Sequence, residues 1–149
     1  MLKLITLLLL LNLFYLFNAA NSGCTNTAFK NAEVVCNNYT LSKGNETDIL
    51  GHLVAIHNAF VNKFLVEQIV KYNISNVWLG AKSDYSEWTG IYQFIDWNDG
   101  SEIDYSNFAQ YNNTAIAYLQ MNATNGKWYP TYDETVQIPF ICGLTMNMK

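Results

Sequence analysis

Histidine and carboxylate side chains are the groups in this chain that could carry protons or bind a metal. The two histidines, His52 and His57, stand at either end of a short apolar run, and their spacing matches no histidine–cysteine metal motif. No serine, histidine and acid occur in a pattern that predicts a nucleophilic catalyst. We therefore predict structural histidines, no catalytic residues and no metal ligands.

Six acidic residues crowd into one loop-rich stretch, where carboxylates could either attract a cation or face the solvent. The part from Asp96 to Asn107 does not fit an EF-hand, because Gly100 comes one place early and Asn107 replaces the closing glutamate. We predict a solvated acidic face, and a weak accessory cation site is the alternative. The six residues are Asp84, Glu87, Asp96, Asp99, Glu102 and Asp104.

Two helices followed by a series of strands are predicted to position these groups. Apolar residues recur at helical spacing over residues 28–37, and Asn58 is a suitable N-cap for a helix that ends near Tyr72. Residues 52–56 form a short β-rich run, and residues 77–81 a buried strand. Further strands are predicted at 116–121, 127–129 and 138–144. Helices that precede antiparallel strands favour an α+β fold.

Residues 1–20 have the layout of a secretory signal peptide. Lys3 precedes an apolar run from Leu4 to Phe17, and small residues follow, so cleavage is predicted after Ala20 or Ser22. The alternative is an uncleaved anchor, but a run of about 14 residues is short for a bilayer span. We expect a secreted, extracellular protein with no membrane span after processing.

The rest of the chain is long enough for one domain, predicted at residues 24–145. All eight basic residues are lysines and the formal net charge is −4, which disfavours binding to nucleic acids or anionic membranes. Five glycosylation sequons agree with export. Their asparagines are Asn38, Asn45, Asn73, Asn112 and Asn122.

Several segments, in order and spacing, make the chain resemble the C-type lectin-like domain family. The resemblance covers residues 28–145. It rests on residues 32–36 and 51–56, the strand 77–80, the turn Trp97-x-Asp99-Gly100-Ser101, residues 104–108, Gly126-Lys127-Trp128 and the closing run 139–142. It implies two helices, a small antiparallel sheet and a long loop region.

The resemblance also implies a disulfide between Cys36 and Cys142. The family's inner disulfide is absent, because Tyr118 and Asp133 stand where its cysteines are expected. The third cysteine, Cys24, is then unpaired. It is either a free or small-thiol-capped residue, or the site of an intermolecular disulfide that forms a dimer.

Calcium-binding members of the family use a carboxylate-bearing triplet around a proline and a late Asn-Asp pair. The triplet aligns with Gln110-Tyr111-Asn112 and the pair with Tyr129-Pro130, so no carboxylate is supplied at either place. We predict that no cofactor is bound and that calcium is not used. Asp99 is expected to cap a structural turn instead.

The function predicted from these features is a non-enzymatic binding module for a protein or cell-surface ligand. The loops at residues 82–115 and 129–135 would carry the recognition, without calcium. The alternative is a carbohydrate ligand, and a small secreted enzyme is a remote third. Candidate ligand-binding residues are Gln110, Asn112, Asn113, Trp128 and Tyr129. A glycan on Asn112 would cover the usual sugar site.

Overall fold

The computed structural model describes residues 13–16, 26–41, 49–109 and 115–145. Helices α1 and α2 span Phe29–Asn37 and Ala59–Lys71. The strands are β1 Leu13–Leu16, β2 Thr40–Leu41, β3 Ile49–Leu50, β4 His52–Leu53, β5 Asn76–Lys82, β6 Asp84–Ser86, β7 Ile91–Gln93, β8 Tyr118–Asn122, β9 Trp128–Thr131 and β10 Cys142–Thr145.

Both helices lie where the apolar spacing predicts them. The side chain of Asn58 accepts a hydrogen bond from the Val61 amide at 2.9 Å, which satisfies one of the free amides at the start of α2. The helix ends at Lys71 with Tyr72 as its C-cap, and Asn73 then adopts a positive φ of 57°, a conformation that asparagine tolerates well. Local signals therefore fix the bounds of α2.

The described strands form two small three-stranded sheets and two hairpins. Strands β5, β8 and β9 make one antiparallel sheet, and β1, β10 and β4 make the other. Two predicted strands were too long. Residues 52–56 form a strand only at β4, and residues 138–144 only from Cys142 onward, preceded by isolated bridges from Ile138 to Thr27 and from Phe140 to Trp78. The intervening backbone still bonds across the core, because Val54 donates to Ile141 and Gly80 donates to Val54, each at 2.9 Å.

Strand β1 lies within the segment predicted to be a signal peptide. Its four residues pair with β10, from Leu13 opposite Thr145 to Leu16 opposite Cys142. The remainder of that predicted segment, and Cys24 after it, lie outside the described residues. Within the described part of the chain, neither helix is long and apolar enough to cross a bilayer.

Two tryptophans organise the core. Trp128 lies in the larger apolar cluster, between α2 and the β5–β8–β9 sheet. Trp78 lies in a second cluster with Phe29, next to the disulfide that joins Cys36 to Cys142. That disulfide links α1 to β10, as the resemblance implied. The α+β fold is confirmed, with the core close to both helices and the loops gathered beyond β5 and β9.

Candidate functional site

The residues predicted to bind a ligand do not form one described site. Gln110, Asn112 and Asn113 lie outside the described residues. The assignment of Trp128 was wrong, because its side chain is 0 % exposed and its indole nitrogen donates to Asn62 at 2.7 Å. Only Tyr129 remains reachable, half-buried on β9, where its hydroxyl accepts a hydrogen bond from Asn125 at 3.0 Å.

The carboxylates that follow β9 are already bound within the protein. Asp133 accepts hydrogen bonds from the amide and the hydroxyl of Thr135, at 2.8 and 2.6 Å. These bonds hold the pKa of Asp133 below its usual value. Glu134 bonds to Lys30 and Tyr118, and these contacts likewise lower its pKa. Both groups therefore serve as internal acceptors in this loop.

Tyr118 takes part in a polar link at the position of the missing inner disulfide. Its hydroxyl donates to Glu134 at 2.6 Å, and Glu134 also pairs with Lys30 at 2.8 Å. Its ring packs on Phe29, with centroids 4.8 Å apart. Burial, and then the neighbouring Glu134 carboxylate, raise the pKa of Tyr118 to about 12. This polar link joins β8 to the loop after β9. The inner disulfide of the family would join the same two segments.

The structure brings together a serine, a histidine and an acid that the sequence did not predict as neighbours. His57 contacts Asp104 through Nδ1 at 2.8 Å and Ser101 Oγ through Nε2 at 3.3 Å. However, the hydroxyl and the amide of Ser101 both donate to Asp99, at 2.5 and 3.0 Å. The Ser101 amide is therefore not free to stabilise an oxyanion, and the group holds the 97–104 turn in place. The predicted capping role of Asp99 is confirmed.

His52 belongs to a second polar cluster, centred on Glu33 of α1. One carboxylate oxygen contacts His52 Nδ1 at 2.7 Å, and the other accepts from the Leu53 amide at 3.0 Å and from Asn98 at 2.8 Å. Glu33 thus joins α1, β4 and the loop after β7. Asn98 points into this cluster, so the string Trp97-Asn98-Asp99 has a structural role in the described fold.

A large exposed aromatic surface lies elsewhere, on the hairpin formed by β6 and β7. We call residues 84–93 the Trp88 hairpin. Trp88 is 96 % exposed at its tip, and Tyr85 and Ile91 are 54 % and 49 % exposed beside it. This surface lies within residues 82–115, where recognition was predicted, but Trp88 was not among the candidate binding residues. The sequence did contain a signal for its exposure: Trp88 directly precedes Thr89-Gly90, which predicts a turn, and residues in turns usually face the solvent.

The root of the Trp88 hairpin is anchored to the body of the domain. Ser83 is buried, its amide donates to Ala117 at 2.8 Å, and its hydroxyl accepts from the Ala117 amide at 2.7 Å. On the other side, Phe94 is buried and its ring stacks on Phe108, with centroids 5.6 Å apart. Both ends are therefore fixed where the hairpin leaves the fold.

A surface groove of about 250 Å³ lies at the root of the Trp88 hairpin. Two of the acidic residues, Asp84 and Asp96, line it together with Lys82 and Ile95. Asp84 pairs with Lys82 at 3.2 Å. Among the described residues, no three His, Cys, Asp or Glu side chains are grouped to hold a metal ion.

The predicted glycosylation sites differ in their surroundings. Asn38 and Asn73 are exposed, at the ends of α1 and α2. Asn122 is half-buried in β8, and its amide nitrogen donates to Asn76 at 3.0 Å. Asn45 and Asn112 lie outside the described residues. Modification of all five stays a prediction.

The chain is similar in sequence to two snaclec subunits, both from Deinagkistrodon acutus. It is 36 % identical over 80 residues to the alpha-1 chain of the snaclec agglucetin, a match that covers 52 % of this chain and 49 % of that protein. It is 30 % identical over 96 residues to one chain of the snaclec agkisacutacin, over 62 % and 60 %. The matches thus span half to three-fifths of these relatives. No family model matches.

Solved structures are similar over most of the chain. CEL-IV has a TM-score of 0.72 at 24 % identity, with 85 % of this chain and 86 % of that chain covered. The C-type lectin CEL-I from Cucumaria echinata has a TM-score of 0.67 at 25 % identity, over 90 % and 91 %. Human lithostathine has a TM-score of 0.66 at 18 % identity, over 91 % and 85 %.

Proposed function

Because this chain is a C-type lectin-like domain, we propose that it is an extracellular binding protein without enzymatic activity. It recognises a protein or cell-surface ligand through the loops around residues 82–109 and 129–135, and it does so without calcium. The Ser101–His57–Asp104 group does not favour catalysis, since Asp99 already engages both the hydroxyl and the amide of the serine.

The observation that carries calcium independence is the chemistry at the end of β9. Tyr129 and Pro130 occupy the positions of the expected carboxylate pair, and neither supplies an anionic oxygen. The next carboxylates along the chain, Asp133 and Glu134, already accept hydrogen bonds from Thr135, Tyr118 and Lys30. A calcium ion at this place would have to displace those internal partners.

A glycan array and a panel of intact cells, each probed in calcium and in EDTA, test the proposal. We expect cell binding that EDTA leaves unchanged and that survives enzymatic removal of cell-surface glycans. Binding to the array that EDTA abolishes would contradict the proposal.

Carbohydrate binding is the second candidate, and the half-exposed Tyr129 favours it. An aromatic ring on a loop surface can stack on a sugar without a metal. CEL-I, one of the similar structures, is itself a C-type lectin. Array binding that EDTA does not affect, and that Tyr129→Ala removes, would support this candidate over a protein ligand. Tyr129→Phe is the matched control, because it keeps the aromatic ring and removes the hydroxyl that accepts from Asn125.

A further inference from the structure

The Trp88 hairpin combines a large exposed aromatic surface with a fixed backbone. Tyr85 packs edge-on against Tyr92 across the two strands, with centroids 5.3 Å apart. Gly90 donates to Ser86 at 2.8 Å and closes the turn with a φ of 70°. An exposed aromatic side chain on a fixed backbone loses little conformational entropy when a partner binds. Such residues often contribute most of the binding energy of an interface.

The charge around the hairpin is strongly one-sided. Residues 82–104 contain six of the twelve acidic residues but only one of the eight lysines, so the stretch has a formal net charge of −5 and the rest of the chain +1. Two of these carboxylates, Asp99 and Asp104, are bound to Ser101 and His57. Glu87 and Asp96 are exposed, and neither forms an ion pair with another described residue.

We propose that the Trp88 hairpin docks a basic segment of a protein partner. The inference rests on the proposed function and gives its ligand a chemical class. An arginine or lysine of the partner stacks on the indole of Trp88 while Glu87 pairs with its charge. A second cationic side chain of the partner pairs with the exposed Asp96 beside Ile95, since Lys82, which lines the same groove, already pairs with Asp84.

The charges of this stretch disfavour other occupants. A second copy of this face would carry the same negative charge and would be repelled. Anionic lipid surfaces are attracted by lysine and arginine clusters, which this stretch lacks. A neutral sugar gains nothing from the formal net charge of −5 on this stretch, whereas a cationic segment is attracted by it.

Fluorescence anisotropy with a labelled peptide that alternates arginine and glycine tests the inference on the full secreted chain. We expect Trp88→Ala to weaken binding about fivefold and Glu87→Gln about threefold, in line with an exposed cation–π contact and one surface ion pair. The matched controls are Phe60→Ala and Glu67→Gln, an exposed aromatic and an exposed acid on α2. Both controls should bind within about twofold of the unmodified chain.

Peptides with lysine or glutamate in place of arginine complete the experiment. Arginine should bind more tightly than lysine, and the glutamate peptide should not bind. Equal binding by Trp88→Ala and Phe60→Ala, or binding of the glutamate peptide, would overturn the inference. So would a Trp88→Ala variant that keeps peptide binding but loses binding to glycans or to phosphatidylcholine vesicles.

The outcome separates this inference from the proposed function. If Trp88→Ala still binds cells without calcium while changes at residues 129–135 abolish that binding, the proposed function holds and the inference fails. If the peptide binds through Trp88 but cells are bound only with calcium and in competition with sugar, the inference holds and the proposed function fails.

Discussion

Trp97 and Trp128 are both buried, and their ring centroids lie 5.4 Å apart. They differ in their hydrogen bonding. Trp128 donates to Asn62 at 2.7 Å, whereas the indole nitrogen of Trp97 has no partner among the described residues. Removing a paired donor leaves a buried acceptor unsatisfied, whereas removing an unpaired one relieves a penalty.

We therefore expect Trp128→Phe to lower the free energy of unfolding by about 1–3 kcal/mol more than Trp97→Phe. Both substitutions replace an indole by a phenyl ring, so the difference reports the hydrogen bond. Urea denaturation of the two variants measures the difference. Equal losses would mean that the bond to Asn62 contributes nothing, or that Trp97 has a partner outside the described residues.

The phenol of Tyr118 predicts a loss of stability at high pH. The pKa of this phenol is about 12 in the folded chain against 10.0 ordinarily. Its contribution to the free energy of unfolding is therefore complete below pH 10 and is lost as the pH rises through 12. The stability advantage of the unmodified chain over Tyr118→Phe should shrink between these values. Thermal unfolding at a series of alkaline pH values measures it, with the exposed Tyr85→Phe as control. A constant difference would contradict the assignment.

At the scale of elements, local patterns predicted α1, α2 and β5 well. The Asn58 cap and the apolar spacing after it depend only on near neighbours, so the sequence carries them directly. The end of β4 at Leu53 depends instead on contacts with β10 and β5, which spacing does not reveal. The Ser101–His57–Asp104 group joins residues 44 and 47 positions apart, so only the tertiary fold could reveal it.

The Cys36–Cys142 disulfide links two elements covalently, and its removal should be costly. It joins α1 to β10 across a sequence separation of 106 residues. In the chain-entropy model, a loop of this size stabilises the fold by about 4–5 kcal/mol. The double variant Cys36→Ala/Cys142→Ala should lose about 2–5 kcal/mol in urea denaturation.

Cys24→Ser is the control for that experiment, because Cys24 is not part of the link. It should leave stability unchanged, and non-reducing electrophoresis of the same variant tests whether Cys24 forms a dimer. A double variant as stable as the control would contradict the assigned role of the disulfide.

At the scale of the whole molecule, strand β1 lies inside the predicted signal peptide. Cleavage after Ala20 would remove the strand that pairs with the outer edge of β10. Two chains, one beginning at residue 13 and one at residue 21, separate the effects. We expect hydrogen exchange at the β10 amides to be slower in the longer chain, because β1 protects that edge. Equal exchange would mean that β1 does not pair in solution, and N-terminal sequencing of secreted protein identifies the natural start.

The sequence predicted the framework of this molecule better than the exposed aromatic surface that we propose for binding. Trp78 and Trp128 were identified as anchors because they sit in apolar runs, and the structure buries both. Residue type alone assigned Trp128 a second role in binding, which its burial excludes. Trp88 was not singled out, because it lies in a stretch rich in aromatic residues. Its exposure depends on the direction in which the hairpin leaves the fold, which is set by the contacts of Ser83 and Phe94.

The distribution of the four tryptophans gives the protein a built-in optical probe. Three indoles are enclosed in the core and the fourth stands almost fully in water at the hairpin tip. Their emission should therefore divide into a blue-shifted part that acrylamide scarcely quenches and a red-shifted part that it quenches freely. Any ligand that covers residue 88 would protect the second part alone, so occupancy of this surface can be followed in the unlabelled protein.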